Sequence, residues 1–236
     1  RQGLYFTMKR ISGENLFTIL SRVAQKDPVT VAEFDLRRRV EIVMTAGLAL
    51  LYAHARGVIH RDVKPENIWV GNFGEVILLD WGVAKVWGQP DDGPGRPQVI
   101  QQEEADQSLT MAGDRPGTPL YMSPEQVNTN RATIDERSDI FSMGVVLYEA
   151  IALREPFRGR VIQETFENII HNDPCPPSTL APEKNIPKEL DDIVMKALEK
   201  KPANRFQTMQ EMLDAVRLLD SAYTLQVLRK LENQDQ

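Results

Sequence analysis

The sequence predicts an α+β fold, mainly α, with one short β-hairpin at a polar site. Three patterns predict it. Apolar residues recur at helical spacing from Val40 to Leu51, two Ile/Val/Leu-rich segments (68–70 and 76–79) flank the turn-rich "GNFGE", and "DIFSMGVVLYEAI" (139–151) is apolar almost all round. The first is the stripe of a helix lying on a core, the second a hairpin, and the third a helix buried at the centre of a domain.

Along the chain, "GLYFTMKRI" (3–11) alternates as a strand does, with no partner strand before it, so the chain is expected to be a piece of a longer protein. Thr30 and Glu33 read as a capping box for a long amphipathic helix carrying Val40, Val43, Met44, Gly47, Leu48 and Leu51, which Gly57 stops. The "RRR" at 37–39 reads as the solvated face of that helix. In the hairpin, an antiparallel return makes Asn67, before the first strand, a neighbour of Asp80, after the second. Residues 88–117, rich in Gly, Pro, Gln and Asp, read as a long loop. Asp139 opens the central helix. Leu190, Ile193, Val194, Ala197 and Leu198 line another, and Thr208 with Glu211 caps a last one carrying Met209, Met212, Leu213, Val216 and Leu219 as core.

Composition narrows the function. A formal charge of -6 with 26% charged residues leaves no basic excess to neutralise nucleic-acid phosphates. The single cysteine, Cys175, forms no internal disulfide. There is no apolar run long enough to span a membrane and no signal-peptide pattern, so a soluble, cytoplasmic chain is expected.

"HRDVKPENIWVGNFGEVILLDWG" (60–82) concentrates acids, an amide, a lysine and an arginine around the hairpin. Phosphoryl transfer needs such parts: a positioned nucleophile, oxygen ligands for metal ions that bridge phosphates, and cations where charge develops. The stretch "HRDVKPEN" with "DWG", followed in order by "GTPLYMSPE", "DERSDIFSMGVVLYE" and "KKPANRF", resembles the large C-terminal lobe of a bacterial-like, eukaryotic-type Ser/Thr protein kinase. The resemblance implies a kinase-like fold divided into a last small-lobe strand and hinge (1–15), a large lobe (16–220) and a C-terminal helical extension (221–236). The catalytic loop would be 60–67 and the activation segment 80–125.

The same resemblance assigns roles. Asp62 would accept the substrate hydroxyl proton, Lys64 would contact the transferring phosphate, and Asn67 and Asp80 would hold Mg²⁺ beside ATP. Arg61 would pair with a phosphorylated activation loop whose candidate acceptors are Ser108 and Thr110. Thr118 would bond the catalytic acid and lysine. Glu125 with Arg205, and Asp139, match fold-holding residues, and His60 matches a histidine that packs behind the loop. Met8, Lys9, Ile11 and Asn15 match the adenine and ribose side of the hinge. Trp69 falls at the floor beneath adenine, where an indole either stacks or obstructs, and Trp81 replaces a phenylalanine.

The implied reaction moves the ATP γ-phosphoryl group to protein Ser/Thr hydroxyls, the chain's own activation loop among them. No Gly-rich loop or strand lysine precedes Met8, so this chain alone is expected to be nearly inactive. The alternative is a pseudokinase or scaffold lobe that binds partners; the intact Asp62, Lys64, Asn67 and Asp80 argue against it. A metabolite kinase ranks last, because "GTPLYMSPE" resembles a platform for protein substrates. Bacterial relatives often carry a membrane helix elsewhere, which would tether such a domain to the inner membrane face.

Overall fold

Side-chain caps at Asn15, Asp27, Asp35 and Asp135 start α-helices, and a few buried polar anchors fix what they pack against. The computed structural model describes residues 11–86, 119–128, 134–184 and 186–219. Its elements run β1 (Glu14–Asn15), α1 (Leu16–Ala24), α2 (Pro28–Glu33), α3 (Leu36–His54), β2 (Val58–Ile59), β3 (Ile68–Val70), β4 (Val76–Leu78), β5 (Lys85–Val86), α4 (Pro124–Val127), α5 (Glu136–Ala152), α6 (Ile162–His171), α7 (Pro177–Leu180) and α8 (Lys188–Ala197), then helical residues 209–219. Met8, Lys9, Ser108, Thr110, Thr118, residues 3–10 of the strand read at 3–11, the whole loop read at 88–117 and the extension 221–236 lie outside the described residues.

The predicted hairpin is present, with Ile68 opposite Leu78, Trp69 opposite Ile77 and Val70 opposite Val76. It is one strand wider than the sequence patterns indicate: β1 adds antiparallel to β3, pairing Glu14 with Val70 and Asn15 with Trp69. A second ribbon pairs β2 with β5. At two residues each, β1, β2 and β5 are too short to show a period.

The central helix is where the apolar run places it. Every residue of α5 from Ser138 to Ala152 is buried, and it packs against α3 on one side and α8 on another. Gly144 allows the close approach of α8, since a Cβ there would sit 2.7 Å from the Ala197 Cβ. The periodic set of α8 is core as read, and Met209, Met212, Leu213 and Val216 pack residues 209–219 against α3 at Gly47. Burying a side chain of this size stabilises by about 1.5–3 kcal/mol.

Three details differ from the sequence patterns. Thr30 and Glu33 do not open the long helix: they belong to α2, which Asp27 caps by accepting the Thr30 N–H at 2.9 Å. The chain then breaks at Phe34, and Asp35 caps α3 by accepting the Arg38 N–H at 2.8 Å. A shorter acidic cap directly before the apolar stripe outcompetes the Thr/Glu box. Second, α5 begins before Asp139, at a cap formed by Asp135 on the Arg137 N–H. That leaves the Asp139 side chain free of capping duty.

Third, the "RRR" run is not uniformly solvated. Arg37 is exposed and Arg38 half-buried, and both pair with Glu41, but Arg39 is buried, with Nε donating to the carbonyls of Phe34 and Asp35 and Nη1 donating to that of Ala150. Burial pulls its guanidinium down to about 10, with Asp35 opposing. It remains a cation and supplies a donor to one carbonyl in the last turn of α5, that of Ala150.

Glu125 and Arg205 form a buried pair, Nη1 to Oε1 at 2.7 Å and Nη2 to Oε2 at 2.8 Å. The remaining guanidinium hydrogens go to the carbonyls of Glu199, Arg137 and Lys200, and Ser138 Oγ donates to Glu125 at 2.7 Å. All donors of the guanidinium are thereby met, the condition under which a buried ion pair is tolerated. Arg205→Ala should cost about 3–5 kcal/mol in urea denaturation, because it strands a buried carboxylate. Burial pushes the Glu125 carboxyl up, but the Arg205 hydrogen bonds outweigh it and hold the group below its ordinary value of 4.5. The unfolded chain therefore binds this proton more readily, so the pair's stabilisation is complete above pH 4.5 and is lost as pH falls through the lower folded value. Glu125→Gln should flatten the acid side of a stability–pH curve.

Candidate active site

Loop 60–67 is built on a clamp from beneath. Asp139, fully buried, accepts the His60 N–H and the His54 Nε2–H on Oδ2 and the Arg61 N–H on Oδ1, each at 2.8 Å. One side chain of α5 thus fixes two successive peptide groups of the loop and the end of α3.

His60 is held in one tautomer. Its Nε2–H donates to the Leu79 carbonyl at 2.9 Å, leaving Nδ1 to accept the Asp62 N–H at 3.3 Å. The ring is fully buried and lies 4.5 Å from the Trp81 ring. With both nitrogens engaged, His60 has a positioning role and no lone pair for base catalysis. Trp81 is tethered in turn by its indole N–H to the Leu78 carbonyl at 3.0 Å.

The chemistry-bearing side chains converge at Asp62. Lys64 Nζ donates to Asp62 Oδ2 at 2.6 Å, and Asn67 Nδ2 donates to the Asp62 carbonyl at 2.8 Å and to Oδ2 at 3.1 Å. Both Asp62 atoms are acceptors only, which orients the Asn67 amide and leaves its oxygen as the end open to a cation. Among the described residues, Asp62 Oδ1 accepts no hydrogen bond. Beside it lies a pocket lined by Arg61, Asp62, Val63, Lys64, Tyr121, Met122 and Ser142.

The hairpin carries Asn67 and Asp80 on its two ends. The Leu79 N–H donates to the Asn67 carbonyl at 2.8 Å, directly extending the β3–β4 pairing, and Asp80 follows. Asp80 takes a left-handed backbone, φ 59°, is exposed, and among the described residues accepts one hydrogen bond on its side chain, from the Gly82 N–H on Oδ1 at 3.4 Å. An amide oxygen and a lightly engaged carboxylate suit Mg²⁺, a hard ion that keeps several waters. Among the described residues no group of three or more His, Cys, Asp or Glu side chains is placed to hold a metal by itself.

At the other edge, Trp69 donates its indole N–H to the Ser12 carbonyl at 2.9 Å, tying the segment before β1 to the hairpin. Gly13 makes this possible: its φ is 107°, and a Cβ there would lie 2.1 Å from the Val70 carbonyl oxygen. Asn15 caps α1, its Oδ1 accepting the Thr18 N–H at 2.8 Å. Ile11 is half-buried before this stretch.

The protein kinase domain family matches residues 1–216. The chain belongs to that family. Among its relatives are bacterial proteins named serine/threonine-protein kinase PknD. That of Protochlamydia amoebophila is 32% identical over 213 residues, 89% of this chain and 22% of the relative. That of Chlamydia trachomatis serovar D is 33% identical over 227 residues (91% and 23%), and that of Chlamydia muridarum 34% over 227 (91% and 23%). The chain therefore spans less than a quarter of the length of these relatives. No helix among the described residues is long and apolar enough to cross a membrane.

Three supports of this site escape motif reading. Tyr121 donates to Glu149 at 2.5 Å, and burial first, then Glu149, pushes its hydroxyl well up, so it stays protonated. Gln126 reaches the Arg61 carbonyl at 2.7 Å. His54 joins Asp139 from 85 residues away, and nothing in the local sequence signals it. Asp139→Ala should cost about 3 kcal/mol or more in chemical denaturation, since it leaves buried N–H donors unmet. Amide exchange at His60 and Arg61 should accelerate with it.

Proposed function

We propose that the chain is the catalytic region of a Ser/Thr protein kinase, transferring the ATP γ-phosphoryl group to protein hydroxyls. The observation that carries this reading is the convergence of Lys64 and Asn67 on one oxygen of Asp62, with the other oxygen left to accept the substrate hydroxyl. A carboxylate whose one oxygen is saturated by a cation and an amide is oriented, and its second oxygen meets the incoming O–H in a fixed place. Lys64, released to the phosphate, would offset charge as the bond to the leaving group breaks. Asn67 and Asp80 would hold Mg²⁺, which supplies positive charge between the phosphates when bound. A partner-binding lobe without catalysis gives no reason for keeping this set together in a cleft.

The domain division (1–15, 16–220, 221–236), the adenine role of Met8, Lys9, Ile11 and Trp69, and the ribose role of Asn15 belong to the same reading. Asn15 enters it with its oxygen already engaged as a helix cap. Arg61 would pair with a phosphate placed on Ser108 or Thr110, by autophosphorylation or otherwise, and Thr118 would contact Asp62 and Lys64. Cytoplasmic placement, free or tethered at the inner membrane face, completes the proposal.

In the full-length protein, Asp62→Asn should lower kcat for ³²P transfer from Mg·ATP by about 10² or more. Lys64→Ala should also act mainly on kcat. Unchanged transfer in Asp62→Asn would remove the assignment. The 236-residue chain alone should transfer phosphate far more slowly than the full-length protein, because neither Gly-rich loop nor strand lysine occurs in it.

A further inference from the structure

Arg61 is a non-glycine residue with φ 70°, a left-handed conformation that L side chains rarely adopt, immediately before Asp62. Such a residue persists where its surroundings over-determine it. Its N–H is held by Asp139, from the buried helix α5. Its carbonyl is held from a different element: Gln126, in α4, donates Nε2–H to it at 2.7 Å.

That carbonyl belongs to the peptide group that joins Arg61 to Asp62. The N–H of the same peptide is the one that donates to His60 Nδ1. Gln126 and His60 thus fix both polar ends of the peptide plane from which the Asp62 side chain springs.

Gln126 is suited to this by its own surroundings. It is 4% exposed, and its Oε1 accepts the Ser123 N–H at 2.9 Å and the Ser123 hydroxyl at 3.1 Å. Two donors on the oxygen fix the amide orientation, so the nitrogen must face Arg61. Its neighbour Glu125 is locked to Arg205. Adjacent residues therefore perform complementary tasks, one fastening α4 to the base of the fold and the other passing its position to the loop.

We propose that Gln126 is a positioning residue that couples the placement of α4 to the orientation of Asp62. Its effect on turnover rests on the kinase reading above; its effect on the loop does not.

Two variants of the full-length protein separate this from a merely structural cap. Gln126→Glu keeps an acceptor for Ser123 and loses the donor to Arg61, while Ser123→Ala keeps the donor and removes the hydroxyl. In Gln126→Glu, amide exchange at Asp62 and Val63 should quicken by about tenfold and kcat should fall by about tenfold, with KM for ATP within about twofold. Ser123→Ala should lower the melting temperature while leaving loop exchange and kcat within about twofold. The proposal is overturned if Gln126→Glu leaves loop exchange near wild type, or if Ser123→Ala moves exchange and kcat as much. Should the glutamate variant not fold, Gln126→Met, apolar and similar in length, replaces it with the same expectation against Ser123→Ala. A wild-type protein that transfers no phosphate would sink the kinase reading, and the exchange comparison would still decide the coupling.

Discussion

The buried carboxylate of Asp139 is the interaction on which the site depends. Taking a charge out of water costs several kcal/mol unless hydrogen bonds replace the lost hydration. Here the replacement donors are the His60 and Arg61 N–H groups and His54 Nε2, all at 2.8 Å. The cost is met only while loop 60–67 keeps its conformation. The carboxylate is consequently a fold determinant and a site determinant at once, and α5 is buried along nearly its whole length to hold it still.

This clamp also explains where the backbone departs from ordinary conformations. Four described non-glycine residues have positive φ: Lys26, Arg61, Asp80 and Leu153. Lys26 and Leu153 follow the ends of α1 and α5, where a left-handed residue terminates a helix. Arg61 and Asp80 terminate nothing comparable. They flank the β3–β4 hairpin, and each sets the backbone direction at a carboxylate, Asp62 or Asp80 itself. The strain at Arg61 is balanced by Asp139 and Gln126 on its two sides.

Legibility in the sequence followed the range of the physics. The hairpin, α5, α8 and the cap at Thr208 were readable because period, propensity and turn chemistry act within a dozen residues; the Glu211 N–H indeed donates to Thr208 Oγ1 at 3.2 Å. The start of α3 differs from the pattern because two candidate caps lie five residues apart at Thr30 and Asp35, and the acid directly before the apolar stripe prevails. The burial of Arg39 is not legible locally because one of its acceptors, the Ala150 carbonyl, lies 111 residues away. In the site, Asp62, Lys64 and Asn67 share one short loop and were legible together. Gln126 carried a local signal, since Ser123 with Gln126 is a capping-box spacing, but the cap conceals that its nitrogen serves Arg61. His54 had no signal at all.

The two described ends of the segment read as the activation segment are each fastened to the loop they would regulate. At the near end, β5 pairs with β2, the strand that runs directly into His60. At the far end, Ser142 Oγ donates to the Tyr121 carbonyl at 2.7 Å, and Gln126 grips Arg61. A phosphate added between these ends would change the free energy of the segment, and an equilibrium moves only where the two states differ in their contacts. The contacts available for that difference are the ones that set the strand before His60 and the peptide before Asp62. Control at a distance would therefore need no long route through the core: the two described ends already hold backbone within four residues of Asp62, at Val58–Ile59 and at Arg61.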